Sequence, residues 1–267
     1  MPAPYETIRA SCVIPAYNTA ETIGRALESV LRTPGVEEVI VVDDGSVDET
    51  GIRVAALAGT APVPVRLIRQ DNSGAGAARN TGMQAATLDW ITFLDADDEM
   101  LPEAIIGKAK HLATCPDRET VDAVHGSFVR GDTGAIAKFS ETRTQVDPDG
   151  IGRLGGFPGG VHSFVFRREP LLATGGFRPE LTNYEDFELI LRFIAQGSRV
   201  VGCTAPGFHR HYTQNSLSRG LAVPKRLELE RRFLNMAARE DLMGKTEVMR
   251  RLLRNRVRQL HHVVTGH

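Results

Sequence analysis

Four polar clusters follow apolar runs in the first hundred residues, and their side chains are of the kinds that hold phosphates and metal ions. They are Pro15-Ala16-Tyr17-Asn18, Asp43-Asp44-Gly45-Ser46, Asp71-Asn72-Ser73-Gly74 and Asp95-Ala96-Asp97-Asp98. The last sets three carboxylates within four residues, which repel one another unless a cation or solvent intervenes. In an extended Asp-x-Asp segment, Asp95 and Asp97 point to the same side. Hard oxygen ligands of this type suit Mg2+ or Mn2+, which bind through one or two carboxylates together with substrate phosphates. Taken alone, the cluster reads equally well as a solvated acidic turn. Asp44 would accept hydrogen bonds from a ligand base or sugar, or belong to a capping turn. Tyr17 would offer a flat face to a base, or lie on the surface as tyrosines commonly do.

A further stretch, Gln70 to Gly82, has the look of a phosphate cradle. Gly74-Ala75-Gly76 begins a G-x-G-x-x-G fingerprint, but the sixth position is Arg79. A dinucleotide fold needs glycine there for close helix packing. The acidic residues about 20 positions on, Asp95 and Asp97, belong to a carboxylate cluster and do not stand alone after a strand. Gly74 and Gly76 are therefore expected to make a tight strand-to-helix turn, and a nicotinamide enzyme is the lesser alternative.

The elements that must position these clusters alternate. Ala10–Ile14, Val39–Val42, Val63–Ile68 and Trp90–Leu94 read as strands. Glu21–Leu31, with apolar residues at helical spacing, reads as a helix, as do 48–57, 74–86 and 102–114. Asp48 or Ser46 is available as the N-cap of the second helix, and Pro102 suits the first turn of the fourth. A β-α-β-α-β-α-β order argues for a parallel sheet with helices on both faces. Ligands bind such a sheet beyond the carboxyl ends of its strands. All four polar clusters stand at that edge, and their convergence favours the metal reading of Asp95 to Asp98. Later segments are less regular: strands at 121–129 and 135–139 joined as a hairpin, a loop over 150–160 with six glycines, a strand at 162–166, a helix at 184–195, a strand at 199–203 and helix over 225–263.

The 267 residues suffice for one large α/β domain or two small ones, and a net charge of −1 excludes a nucleic-acid footprint. Cys12, Cys115 and Cys203 are far apart and lack C-x-x-C spacing, so neither a zinc site nor a disulfide framework is expected. The N-terminus has no secretory pattern, and no run approaches about 18 consecutive apolar residues. A cytoplasmic location is expected. Residues 221–267 carry 11 Lys/Arg against 5 Asp/Glu. Met249, Leu252, Leu253, Val257, Leu260 and Val264 form an apolar stripe there, rimmed by arginines. This stretch would pack on the rest of the chain, form a homodimer, or lie on an anionic membrane at its inner face.

Together, Val13-Ile14-Pro15-Ala16-Tyr17-Asn18, Val41-Val42-Asp43-Asp44-Gly45-Ser46, Asn72-Ser73-Gly74 with Ala78-Arg79-Asn80-Thr81-Gly82, and Phe93-Leu94-Asp95-Ala96-Asp97-Asp98 resemble the nucleotide-sugar domain of family 2 inverting glycosyltransferases of the GT-A fold. Gly175-Gly176-Phe177 and Tyr184-Glu185-Asp186-Phe187-Glu188-Leu189 resemble that family's acceptor-side segment. The resemblance covers residues 10–220. It implies an α/β fold of GT-A type, with a mostly parallel Rossmann-like sheet, helices on both faces and C-terminal helices beyond. The catalytic domain would span 1–220, with a nucleotide-sugar half over about 8–115 and an acceptor half over 116–220. Residues 221–267 would form a basic helical extension.

The resemblance also implies roles. Pro15, Ala16 and Tyr17 would flank the base of a nucleoside-diphosphate sugar, and Asp44 would bind that base, usually uracil. Gly74 and Arg79 would lie by the nucleotide. Asp95 and Ala96 would face the ribose or donor sugar. Asp97, with Asp95, would hold Mg2+ or Mn2+ on the diphosphate. Asp186 would be the general base for an acceptor hydroxyl, with Glu185 the neighbouring candidate. Either His209 or His211 would meet the diphosphate or metal, unless the segment is a solvated basic turn. His162 would line the acceptor mouth, or simply pack. The implied reaction is a single inverting displacement onto a saccharide, a lipid-linked or another hydroxyl acceptor, in cell-surface polysaccharide or glycolipid synthesis. Two other readings stay open: a nucleotide-sugar-binding protein with a decayed site, and a nucleotidyltransferase. The latter usually has a Gly-rich, lysine-bearing loop after its first strand, where this chain has Pro15 to Ala20.

Overall fold

The structure is a computed structural model and describes residues 8–131, 133–137, 160–181, 184–211, 223–240 and 242. Four strands form its parallel half: β1 (Ala10–Ala16), β2 (Val36–Asp43), β3 (Val65–Arg69) and β4 (Trp90–Phe93). Helices α1 (Ile23–Leu31), α2 (Thr50–Ala58) and α3 (Ala75–Ala85) connect them. After β4 come β5 (Glu99–Met100), α4 (Ala104–Thr114), β6 (Ala123–Arg130) and β7 (Ile136–Ala137). Then follow β8 (Phe164–Arg167), α5 (Arg168–Ala173), α6 (Glu185–Ala195), β9 (Val200–Arg210) and α7 (Val223–Arg239). The sheet runs β3-β2-β1-β4-β8-β6-β9-β5, with β7 paired to β6. β1, β2, β3 and β4 pair in parallel, as do β6 and β9. β8 enters antiparallel between β4 and β6, and β5 lies antiparallel on β9.

The apolar runs of β1 and β2 are continuous because both of their faces are covered. Alternate residues divide between two cores: Val13, Ile40 and Val42 pack with α3, α6 and α7, and Cys12, Ile14, Val39 and Val41 with α1 and α4. β3, at the open edge, is only partly buried and carries Arg66 and Arg69. α7 is not a separate body, since Phe233, Leu234 and Ala237 are buried in the first core. No helix among the described residues is long and apolar enough to cross a membrane.

Several boundaries move from where the sequence set them. α4 begins at Ala104 because residues 102 and 103 form a turn, with the Ala104 N–H donating to Leu101 O at 2.9 Å. Residues 161–163 make a 3-10 turn, and the strand expected at 162 starts at Phe164. β9 runs seven residues past Cys203 because it pairs with β6 along its length and with β5 at its end. His209 and Arg210 are therefore strand residues, not a basic turn. The hairpin of β6 and β7 forms as expected, with Val129 opposite Ile136. Residues 138–159, which hold most of the glycine loop and the end of the expected second hairpin strand, lie outside the described residues. So do 212–222 and the apolar stripe of 249–264.

α3 lies close against β1 because Gly82 has no side chain: a Cβ there would overlap Val13. The close helix-to-strand approach that a dinucleotide fold obtains at its sixth fingerprint position is found here three residues later. Gly82→Ala is expected to destabilise the fold by about 1–3 kcal/mol through overpacking, measured by urea unfolding. An unchanged midpoint would show that α3 can shift without loss.

Candidate active site

The carboxyl ends of β1 and β2 are tied into one rim. The Asn18 N–H donates to Ser46 Oγ, and the Val47 N–H to Asn18 Oδ1, each at 2.9 Å. The Thr19 N–H reaches Thr50 Oγ1 at 2.9 Å and the Ala20 N–H reaches Asp48 Oδ2 at 3.0 Å. Ser46 thus binds the neighbouring loop, while Asp48 does this and also caps α2, its Oδ1 accepting from the Thr50 N–H at 3.0 Å, although Glu49 holds the N-cap position. Asn18 holds a left-handed backbone, with φ of 50°, to make these contacts. Behind the rim opens a cleft of about 710 Å3. Of the residues given a site role from the sequence, all line it except Gly74 and His209, and the Asp71-Asn72-Ser73-Gly74 cluster lies outside its lining.

Asp44 faces this cleft but is already engaged by its own chain. Its Oδ1 accepts from Gln70 Nε2 at 2.7 Å and from the Ser73 N–H at 2.9 Å, and its Oδ2 accepts from the Gly74 N–H at 2.8 Å. Gly74, at φ 89°, is the residue before α3, a backbone conformation that glycine adopts without strain. The stretch from Gln70 to Gly76 is therefore a turn clamped by a carboxylate. The Ser73 and Gly74 amides are spent on Asp44 and the Gln70 amide on Asp43 O, so these three are not open to a phosphate.

Arg79 is the hub of the opposite wall. α3 carries it inward until only 5% of its side chain is exposed. Its Nη2 donates to Asp95 Oδ1 at 2.8 Å, and its Nη1 lies 3.6 Å from Glu185 Oε1 and 3.5 Å from Asp186 Oδ1. Phe177 packs under the guanidinium, 5.4 Å from its centroid. One buried cation thus gathers three carboxylates from β4's end and from α6. Burial works against its charge, but Asp186, Asp95 and Glu185 raise its pKa above the ordinary arginine value.

Two side chains at the start of α6 point across the cleft. Tyr184, just before the helix, is held at φ 68° with its ring stacked on Phe233. The Asp186 Oδ2 accepts from the Val161 N–H at 3.2 Å, while its Oδ1 is buried without a hydrogen bond among the described residues. A Cβ on Gly160 would overlap that carboxylate, so Gly160 is what lets the chain pass so near it. Burial and then Asp186 raise the Glu185 pKa, against the pull of Arg79. His162 is buried beside them, its Nδ1 3.6 Å from Asp95 Oδ2 and its ring edge-on to Phe208.

Asp95, Asp97 and Asp98 bring carboxylate oxygens within 4.8 Å of one another. Burial pushes Asp95 upward, but His162, Arg79 and Arg210 more than offset this and hold it at about 2. Asp98 is pushed up to about 8, by burial first and then by Asp95 and Asp97. Asp97 is raised by burial and by Asp95. This electrostatic conflict is the one that a divalent cation relieves, and the donors are all hard oxygens, so the residues fit Mg2+ or Mn2+. His211 joins the cluster through its backbone, its N–H donating to Asp98 Oδ1 at 2.8 Å. Its ring turns instead toward His209 and Glu99. Burial, Arg25 and His209 lower its pKa.

The sequence model of Glycosyl transferase family 2 matches residues 11–170. The chain belongs to glycosyl transferase family 2. The succinoglycan biosynthesis protein ExoO of Rhizobium meliloti (strain 1021) is 32% identical over 256 residues, which cover 88% of this chain and 70% of ExoO. The transferase also shares its fold with solved structures. S. aureus TarS 1-349 in complex with UDP-GlcNAc gives a TM-score of 0.69 at 20% identity, over 92% of this chain and 70% of that one. Mannosyltransferase PcManGT from Pyrobaculum calidifontis, in complex with GDP-Man and Mn2+, gives 0.68 at 20% identity, over 99% and 78%. The fold is of GT-A type, and the chain is a glycosyltransferase.

Sequence reasoning missed several residues of this transferase's cleft. Arg210 lines it, though only the histidines beside it drew attention. Asp48 and Gly160 contribute through contacts that no local pattern announces. Glu99, beside the cleft, meets the rings of His209 and His211 because β5, two residues long, pairs with β9. The alternation signal that identifies strands needs four residues or more, so β5 left no mark in the sequence.

Proposed function

We propose that the chain transfers a sugar from a nucleoside-diphosphate sugar, UDP-linked, to an acceptor hydroxyl, with inversion at the anomeric carbon. One observation carries this reading: the carboxylates of Asp95, Asp97 and Asp98 face Asp186 across one cleft, a donor-side charge cluster opposite a candidate base. The UDP-GlcNAc bound by TarS and the GDP-Man and Mn2+ bound by PcManGT support a diphosphate donor. ExoO's part in succinoglycan biosynthesis supports a saccharide or lipid-linked acceptor in polysaccharide assembly.

Tyr17, half exposed at the rim, would stack on the base, and Pro15 and Ala16 would bound its pocket. Asp44 would act on the nucleotide mainly by holding residues 70–74 in place. Asp97 and Asp95 would hold Mg2+ or Mn2+. When bound, that ion supplies charge stabilisation for the departing diphosphate. Asp186 Oδ1 would accept the proton of the acceptor hydroxyl as it attacks from the face opposite the leaving group. Arg79 would fix Asp95 and Asp186 relative to each other, keeping the donor and acceptor sides in register.

Calorimetric titration with UDP, GDP and dTDP, with and without Mn2+, tests the donor side. One diphosphate is expected to bind in a Mn2+-dependent way, and Asp97→Ala to abolish the Mn2+ dependence. Binding of none of the three by the intact protein would sink the transferase reading of the site and return weight to a decayed one.

A further inference from the structure

Two ties fasten α7 to the first turn of α6. Residues 184, 187 and 188 share the side of α6 turned toward α7, and Asp186 lies on the opposite one. On the shared side the Phe233 ring stacks on Tyr184, with centroids 5.4 Å apart and planes at 16°, and meets Phe187 edge-on at 5.3 Å. Beside it Arg178 bridges the two helices. Its Nε lies 3.1 Å from Oε1 of the fully buried Glu188. Its Nη1 and Nη2 donate to Oε1 and Oε2 of Glu240, just past the end of α7, each at 2.6 Å.

Tyr184 needs such a tie. At φ 68° and ψ 8° it holds a left-handed backbone, which a bulky residue keeps only where its surroundings impose it. Glu185 and Asp186 follow directly, so this conformation sets the direction in which α6 begins. Asp186 has little room: its Oδ2 accepts from the Val161 N–H at 3.2 Å, and a Cβ on Gly160 would overlap the carboxylate. A slight turn of α6 about its own axis would break this fit.

We propose that Phe233 is a positioning residue for Asp186, acting through the ring of Tyr184, and that α7 is by this contact a working part of the transferase's acceptor side. α7 lies beyond residues 11–170, the stretch that the family model matches. The catalytic consequence rests on the reading of Asp186 as the base, whereas the positioning itself does not.

The test compares the full chain with its Phe233→Leu variant, which keeps an apolar side chain in the core and removes the flat face. Hydrogen exchange is followed at the Glu188 amide, which donates to Tyr184 O at 2.8 Å, and at the amides of β1 and β2. Exchange at Glu188 is expected to quicken by about tenfold or more, beyond any change in the strands. Nucleoside diphosphate release is measured in parallel with UDP-glucose, UDP-GlcNAc and GDP-mannose as donors. For the donor turned over, kcat is expected to fall by about tenfold or more at unchanged KM, and Phe233→Leu to add no loss in an Asp186→Asn background. Exchange at Glu188 that rises no more than in the strands overturns the proposal, as does a loss of kcat additive with that of Asp186→Asn. Wild-type turnover in Asp186→Asn sinks the base reading alone. In that case, or where none of the three donors turns over, the exchange result decides the positioning by itself. Should Phe233→Leu not fold, Tyr184→Gly takes its place, since glycine accepts a φ of 68° without strain while the stack is lost.

Discussion

Asp186→Asn is expected to lower kcat by about 10²–10⁴-fold, the range removed with a general base, while nucleoside-diphosphate affinity stays as in the wild type. The substitution is nearly isosteric. An amide oxygen can still accept the Val161 N–H, so the start of α6 and the passage of Gly160 are kept. Arg79 retains its 2.8 Å bond to Asp95, so the donor side is undisturbed. What disappears is the carboxylate's capacity to take a proton; its Oδ1, 3.5 Å from Arg79 Nη1, has no hydrogen bond among the described residues. The measurement is nucleoside diphosphate release from the sugar nucleotide that calorimetry selects, with binding of the free diphosphate measured alongside. Wild-type turnover in Asp186→Asn would move the base to Glu185, and Glu185→Gln would then show the loss instead.

The second large effect concerns folding. Arg79→Leu is expected to destabilise the protein by about 2–4 kcal/mol, because it leaves three partly buried carboxylates without their cation, a cost somewhat below that of a fully buried pair. Asp95, Glu185 and Asp186 converge on this guanidinium from two different elements. Without it, like charges from β4's end and α6 face each other across the cleft. Arg79→Lys should recover only part of the loss, since a single ammonium cannot serve three carboxylates in the plane that the guanidinium fork spans. Urea unfolding of the three proteins checks both statements. Equal stability of Arg79→Leu and wild type would mean that the carboxylates take up protons or water at little cost, and that Arg79 is not the hub its contacts describe.

The parallel half of the fold was legible because its signals are local. Val39-Ile40-Val41-Val42 is β-branched and apolar throughout, as a strand covered on both faces must be. The polar clusters after β1, β2 and β4 stand where the chain leaves the sheet, and such a sheet collects those exits at one edge. Asp95 and Asp97 could be placed there from sequence, as could Tyr17 and Asp44. The place of Asp186 came through resemblance to a family, because two acidic residues at a helix start are ordinary on charge grounds alone.

Tertiary structure decided what required distant segments to meet. The sequence alone left Asp44 free to face a ligand, and its three bonds to residues 70–74 appear only when β2 and β3 are paired. Arg79 looked like a misfit in a glycine fingerprint, yet the fold makes it the cation that joins Asp95 to Asp186. His209 and His211 could not be told apart in the sequence. Strand pairing sets Glu99 against His209, and the backbone of His211 against Asp98. The physical reason is one of range. Hydrophobic periodicity and turn chemistry act over a few residues and specify elements. Which charges neutralise one another depends on side chains about a hundred positions apart, as Arg79 and Asp186 are, and that is settled only when the sheet and its covering helices close around them.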